Sequence, residues 1–437
     1  VSYARSLATL CGLALVTRLA AVVLLRAWQE PYAMEHAAIA MHLVAGRGFA
    51  FSEFGYFGPS SVQSPTYPIL LAGLFRLLGV ASTAAYAAAL GLNCLLGGLA
   101  TAGSARLARA LGGSPREALL AAGLVAVWPT QVYAATHAQA VCLIIACSVW
   151  MMTLFPVATQ TGRLGPWLAY ALISVLGSLT EPSLLPMTAL SGLLILFWRP
   201  LAPRVRLRNA AILLAAALLV IGPWTLRNWQ VHGALMPVKS SFWVNVWKGA
   251  NDHASGTDRL PMPREHRARL LHGLFSSEVG PSQGSQYTHL TSEQLAELEG
   301  KPDVEREAVF RRWATDWIRR HPRRYAELCL VRLGKSLGMD WDNPKAYHAP
   351  YLVSRVALLL LSVPGLCIAV ARGWQLFYPL ALFASVLALN TLVLTAARFA
   401  LPLEPFQLVL GAASLGWLLA RLRPDRWSAR LEREGTT

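Results

Sequence analysis

Residues 138–157 read AQAVCLIIACSVWMMTLFPV, twenty positions with no charged side chain. A helix of about 20 such residues matches the ~30 Å hydrocarbon thickness of a bilayer, whereas a soluble helix keeps one face polar. Similar runs lie near 7–27, 82–105, 117–135, 166–181, 183–199, 209–226, 350–371, 374–395 and 399–420. Backbone polar groups in hydrocarbon must bond within their own segment, so each run is expected to be a helix. Of the 437 residues 55% are hydrophobic and 14% charged, against about a quarter charged in soluble domains. The reading is an all-α polytopic membrane protein with about ten transmembrane helices. A soluble globular chain is excluded.

Two polar segments interrupt the series, 28–66 after the first run and 229–349 before the last three. They divide the chain into an N-terminal transmembrane module, 1–228, containing the loop 28–66; a polar region, 229–349; C-terminal transmembrane helices, 350–420; and a basic tail, 421–437. The run from Leu7 to Leu25 has no small-residue cleavage site in position and is expected to remain as the first span. Cys11, Cys94, Cys142, Cys147 and Cys367 fall inside apolar runs, where a thiol acts as a small hydrophobe, so no structural disulfide is expected.

Lysine and arginine number 39 against 23 acidic residues, a formal net charge of +16 with pI ≈ 10.1. Alternating the spans puts the N-terminus, the loops 106–116, 158–165, 199–208 and 371–374, and the tail on one side, with fifteen arginines against four acids. The short loops of the other side, around 136–138 and 182, carry no Lys or Arg. The positive-inside rule makes the arginine-rich side cytoplasmic, with both termini. Residues 28–66 and 229–349 then face out of a plasma (inner) membrane. The charge is an orientation device, and no nucleic-acid partner is expected. Arg18, the one basic residue deep in a run, reads equally as a helix–helix hydrogen bond and as a functional group.

The first outward loop holds the densest chemistry. From Glu35 to Val44 the apolar spacing is that of a short amphipathic helix ended by Gly46. Glu35 falls in its first turn, where the helix dipole favours a carboxylate. Downstream, Gln63-Ser64-Pro65-Thr66-Tyr67-Pro68 leads into the apolar stretch Ile69 to Phe75, an interfacial helix entered through a rigid turn.

These residues resemble a known family. The acid, the amphipathic helix ending Gly46-Arg47-Gly48-Phe49, and the Pro65-x-Tyr67-Pro68 turn are similar to the first exoplasmic loop of GT-C membrane glycosyltransferases. The nearest branch is the bacterial one similar to protein O-mannosyltransferases and the lipid A aminoarabinose transferase. Pro223-Trp224 with Arg227-Asn228, then Asn245-x-Trp247-Lys248-Gly249-Ala250-Asn251, Trp317 to Pro322, and Arg398-Phe399 with Pro402 follow in that family's order.

The resemblance implies transfer of a sugar from a polyprenyl-phosphate-linked donor to a glycan, lipid or protein hydroxyl on the outer face, with inversion. Membrane lipids are the remaining partners. Carried over residue by residue, it makes Glu35 the candidate base; Glu181, where the chain departs from the family, is a second catalytic candidate because a carboxylate there can take a proton. Arg398, Arg227, Arg47 and Lys248, with Gln63 and Tyr67, become candidates for the donor phosphate and lipid. His36, His137, Gln139, Asn245, Trp247 and Asn251 become candidates for sugar or acceptor. The sequence departs from the family at Gln63, where a basic residue is common, and at Gln139, where an acid is common. Glu181 replaces a threonine or basic residue, and reads as a base, as a partner of His137, or as a helix cap.

No H-x-x-x-H or C-x-x-C pair occurs, so no metal ligand set is expected, though the resemblance leaves open a divalent cation (Mg²⁺ or Mn²⁺) beside Glu35. Residues 251–258 and 276–290 read as mobile loops. Residues 303–339 read as helices whose arginines and tryptophans face anionic lipid headgroups or an acidic acceptor. Two other function classes remain: a transporter or flippase of lipid-linked sugars, which needs a polar path the spans do not offer, and a catalytically silent family member acting as an assembly subunit.

Overall fold

The structure, a computed structural model, describes residues 2–259 and 286–422. Most of the tail 421–437 and of the segment 276–290 lies outside the described residues. The N-terminal half runs α1 (Tyr3–Leu24), α2 (Met34–Val44), β1 (Ala50–Glu53), β2 (Tyr56–Pro59), α3 (Thr66–Leu78), α4 (Thr83–Leu111), α5 (Pro115–Val127), α6 (Pro129–Ala134), α7 (Val141–Thr161), α8 (Leu164–Thr180), α9 (Leu185–Phe197), α10 (Pro203–Val220) and α11 (Gly222–His232). The polar region supplies α12 (Phe242–Lys248), α13 (Ser292–Leu298), α14 (Asp303–Arg320) and α15 (Pro322–Leu337). Three apolar helices follow, α16 (Ala349–Ala371), α17 (Phe377–Leu392) and α18 (Ala397–Leu422).

Among the described residues, α1, α4, α7, α16 and α18 are long and apolar enough to cross a membrane. The pair α10–α11 makes a sixth if counted as one span bent by 41°. Gly222-Pro223 accounts for the bend, since proline removes an amide donor and crowds the preceding turn. The expected spans 166–181, 183–199 and 374–395 are the shorter helices α8, α9 and α17, of 17, 13 and 16 residues.

The expected span 117–135 is two helices parted at Trp128-Pro129. Pro129 has no N–H to offer the Val125 carbonyl four residues back. Arg18 supplies the donors instead, at 3.1 Å to Val125 O and 3.2 Å to Ala126 O, and Thr17 adds a bond of 2.8 Å to Ala126 O. Gly97 of α4 leaves room for the guanidinium, because a Cβ there would collide with it. Arg18 is therefore a helix–helix hydrogen-bonding residue.

The all-α expectation misses one element, the antiparallel hairpin β1–β2 inside the first loop, with Ala50 opposite Pro59. Phe54 and Gly55 both have positive φ, +49° and +74°, as a tight two-residue hairpin turn requires. The polar region has a small core of its own around Val246, Trp247, Leu298, Phe310 and Ala314. Two buried arginines fasten it to the bundle. Arg332 donates to Gly249 O at 2.7 Å and to Thr391 O at 2.6 Å, holding the end of α17. Arg355 donates to Ser336 O and Gly338 O at the end of α15 and pairs with Glu404 at 3.4 Å.

Candidate active site

The first loop is held in place from behind by one carboxylate. Asp303, 3% exposed, accepts hydrogen bonds from Ser60 Oγ (2.9 Å), Ser61 N (2.6 Å), Ser240 Oγ (2.9 Å) and Arg306 Nη2 (2.9 Å). Arg306 also binds Glu53 at 3.0 Å, so the hairpin, the segment before α12 and α14 share one buried network. Arg227 and Asn228 of α11 join it. Arg227 donates to Ser60 O, Ser61 Oγ and Phe49 O, and the Asn228 amide bridges Ser61 Oγ to Met236 O and Val238 O.

The start of α2 is fixed from the other side. Ala138 N donates to Pro31 O at 2.8 Å, and Gln139 Nε2 to Tyr32 O at 3.0 Å. Tyr32 and Met34 both have φ of +47°, a conformation that costs a non-glycine residue energy and persists where its surroundings impose it. Glu35 follows directly. Gln139 thus positions the first turn of α2, and its amide does so where a carboxylate could not donate.

Between these parts lies a cavity of about 540 Å³. One wall is apolar, built from Val141 and Ile144 of α7, Leu184 and Pro186 around the start of α9, and Val386, Leu389 and Val393 at α17. The other is polar and charged, with Glu35, Glu53, Glu181, Lys239, Lys248 and Arg398. Glu53 is held by Arg306, and Glu181 pairs with Lys239 at 3.5 Å while accepting from Ser183 N. The side chains of Glu35, Lys248 and Arg398 make no hydrogen bond or ion pair with any described residue. The Lys248 ammonium sits 4.3 Å over the Tyr287 ring, and burial pushes its pKa down against the opposing pull of Asp258 and Glu53.

Lys248 and Asn245 reach the cavity because Glu307 caps α12. Its carboxylate accepts from Trp243 N at 2.7 Å and Val244 N at 3.0 Å, and burial pushes its pKa up to about 7. His36 faces the cavity with its Nδ1 buried and unpartnered. Burial, with Arg398 and Lys239 adding to it, pulls its pKa down to about 4, so the ring is neutral at pH 7.

Eight residues singled out in the sequence line this one cavity: Glu35, His36, Gln63, Gln139, Glu181, Asn245, Lys248 and Arg398. Six do not. Arg227 is engaged with the loop backbone, and Arg47 is exposed past the end of α2. Tyr67, 2% exposed, packs edge-on behind His36 at 5.3 Å. His137 packs between Tyr32 and Tyr133, not against Glu181. Trp247 belongs to the outer core, and Asn251 caps α12 through Trp247 O and His253 N. The sequence reading missed Glu53, Lys239 and Asn390. The first sits in a hairpin read as loop, and the last lies inside an apolar run.

Among the described residues no three His, Cys, Asp or Glu side chains are grouped to hold an ion, and two of the cavity carboxylates already face cations.

Fold and site together define a class: a polytopic helical membrane protein whose cavity joins an apolar wall to a charged one. No family model matches the chain, and no curated protein matches it. Among solved structures the chain is similar to a crystal structure of ArnT from Cupriavidus metallidurans bound to undecaprenyl phosphate, with 16% identity and a TM-score of 0.37. It is similar also to the apo state of that protein, with 14% identity and a TM-score of 0.33. Each similarity covers 93% of this chain and 79% of that chain.

Proposed function

We propose that the chain is a membrane glycosyltransferase that moves a sugar from a polyprenyl-phosphate carrier to a hydroxyl acceptor at the outer membrane surface. The observation that carries this reading is the meeting, in one cavity, of an apolar lining with three charged side chains that make no hydrogen bond or ion pair with any described residue. An unpartnered charge beside low-dielectric walls is costly to keep, and a ligand of complementary charge offsets that cost. A lipid phosphate with a sugar attached matches both walls.

In this mechanism the acceptor oxygen attacks C1 of the sugar while the bond from C1 to the phosphate oxygen breaks, inverting C1. The acceptor proton passes to the Glu35 carboxylate. The leaving group becomes a phosphomonoester dianion, whose growing charge Lys248 and Arg398 stabilise. Asn245, Gln139 and neutral His36 line the same space and hold sugar or acceptor in line, which converts a bimolecular encounter into an oriented one. The outward face and cytoplasmic termini follow from the arginine asymmetry.

Purified protein incubated with a synthetic polyprenyl-phosphate sugar and candidate hydroxyl acceptors should yield a glycosylated product and free polyprenyl phosphate. Binding of the donor without any transfer or hydrolysis would favour the silent-subunit reading and reject this one.

A further inference from the structure

The cavity face of α17 follows helical spacing: Val386, Leu389, Asn390 and Val393 stand at i, i+3, i+4 and i+7. Three of the four are apolar and suit a lipid chain. The fourth is an asparagine that is only 7% exposed, and its amide nitrogen is buried with no hydrogen-bond partner. A buried, unsatisfied amide in a helix of this kind weakens the fold, and in a membrane setting a polar side chain aimed at a cavity marks a ligand path. The geometry around it is fixed independently, since Arg332 holds the Thr391 carbonyl next in sequence at 2.6 Å. The guanidinium of Arg398 lines the same cavity.

We propose that Asn390 is a further binding residue of this cavity, donating its amide N–H to a phosphate-ester oxygen of a lipid whose chain lies along Val386, Leu389 and Val393. The inference rests on the donor reading above and deepens it, because it assigns the junction of lipid tail and phosphate to one helix face. A half-turn of the amide exchanges its oxygen and nitrogen without moving the backbone, so the donor can face the cavity. The phosphate is then contacted by Asn390 together with the cationic side chains Arg398 and Lys248 that line the same cavity. The ester phosphate is the chemistry read here, and it occurs both in polyprenyl phosphates and in ordinary phospholipids.

The test is a binding titration on the full chain in detergent, with polyprenyl monophosphate, the matching polyprenol, and phosphatidylglycerol as separate probes. Asn390→Leu should weaken polyprenyl monophosphate binding by about 10- to 100-fold, the range for a hydrogen bond to a charged group. Polyprenol binding should stay unchanged, and the unfolding midpoint of the ligand-free protein should stay equal or rise, since an unsatisfied amide is removed. A purely structural asparagine predicts the reverse, a lower midpoint with unchanged phosphate affinity. Asn390→Asp keeps the shape and places a negative charge beside the phosphate, so it should bind more weakly still. Unchanged affinity in either variant, equal loss for polyprenol, or an Asn390→Leu chain that fails to fold overturns the proposal. Asn390-dependent binding of phosphatidylglycerol, with none for polyprenyl monophosphate, would retain the phosphate contact and reject the polyprenyl donor. Wild-type protein that binds neither phosphate rejects both readings together.

Discussion

Arg18, Arg332 and Arg355 lie inside the helix bundle or where the outer region joins it, and each donates to two or more backbone carbonyls. Glu35, Lys248 and Arg398 line the cavity and make no such bond. The first set is buried, which is costly for a charge, whereas Arg398 is exposed and Glu35 and Lys248 are half-buried. In the first set the cost is met within the protein, at a helix broken by Pro129 and at helix ends whose carbonyls would otherwise be orphaned. In the second set no hydrogen bond or counter-charge from the described residues occupies the side chain. The contrast separates the charges that build the molecule from those available to a ligand, and it does so without reference to residue type, since arginines occur on both sides.

Variants should divide along the same line. The largest stability effect is expected at Asp303, which joins four donors in the network behind the loop. Asp303→Ala takes the shared acceptor from Ser60, Ser61 N, Ser240 and Arg306, leaving Glu53 as the one carboxylate on Arg306, and should cost about 3–5 kcal/mol in chemical unfolding, the range for breaking a buried pair. A loss under 1 kcal/mol would show that the loop is not held by this network. Lys248→Met should behave in the opposite manner. Removing an ammonium that has no counter-ion or hydrogen bond among the described residues and has its pKa pushed down by burial should leave the unfolding midpoint unchanged or raise it, while affinity for a polyprenyl phosphate falls by about 10-fold or more. Lower stability with intact binding would move Lys248 to the structural side of the comparison.

The smallest effect concerns pH. Glu307 has its pKa raised from 4.5 to about 7 by burial, so between those values the unfolded chain has lost a proton that the folded chain keeps. Its contribution favours the fold at low pH and is lost as pH rises through about 7. Glu307→Gln should remove that slope, read as the wild-type minus variant difference in unfolding midpoint between pH 4.5 and 7.5. A difference that is flat with pH would contradict the assignment.

How much of this was visible in the sequence follows from the same physics. Long uncharged runs predict helices directly, and α1, α4, α7, α16 and α18 fall where the runs do. The end of α2 was readable from Gly46, whose φ of +74° suits glycine. Hydropathy averages over a window and does not register a single proline. The break at Pro129 and the short lengths of α8, α9 and α17 were therefore out of its reach. The cavity was half visible. Glu35, Lys248 and Arg398 carried recognisable motifs, but nothing in the Arg227-Asn228 motif reveals whether its side chains face a ligand or a loop backbone. Asn390 was hidden because one polar residue barely lowers the hydropathy of an apolar run.

Of the cavity carboxylates, Glu53 and Glu181 already face cations, which leaves Glu35 to remove the acceptor proton in the proposed mechanism. Glu35→Gln keeps the shape of the side chain and loses its basicity. With a polyprenyl-phosphate sugar as donor, turnover should fall by about 10²–10⁴-fold, the usual general-base contribution, while donor affinity and unfolding midpoint change little. Near-wild-type turnover in Glu35→Gln would contradict the account and pass the role to Glu53 or Glu181.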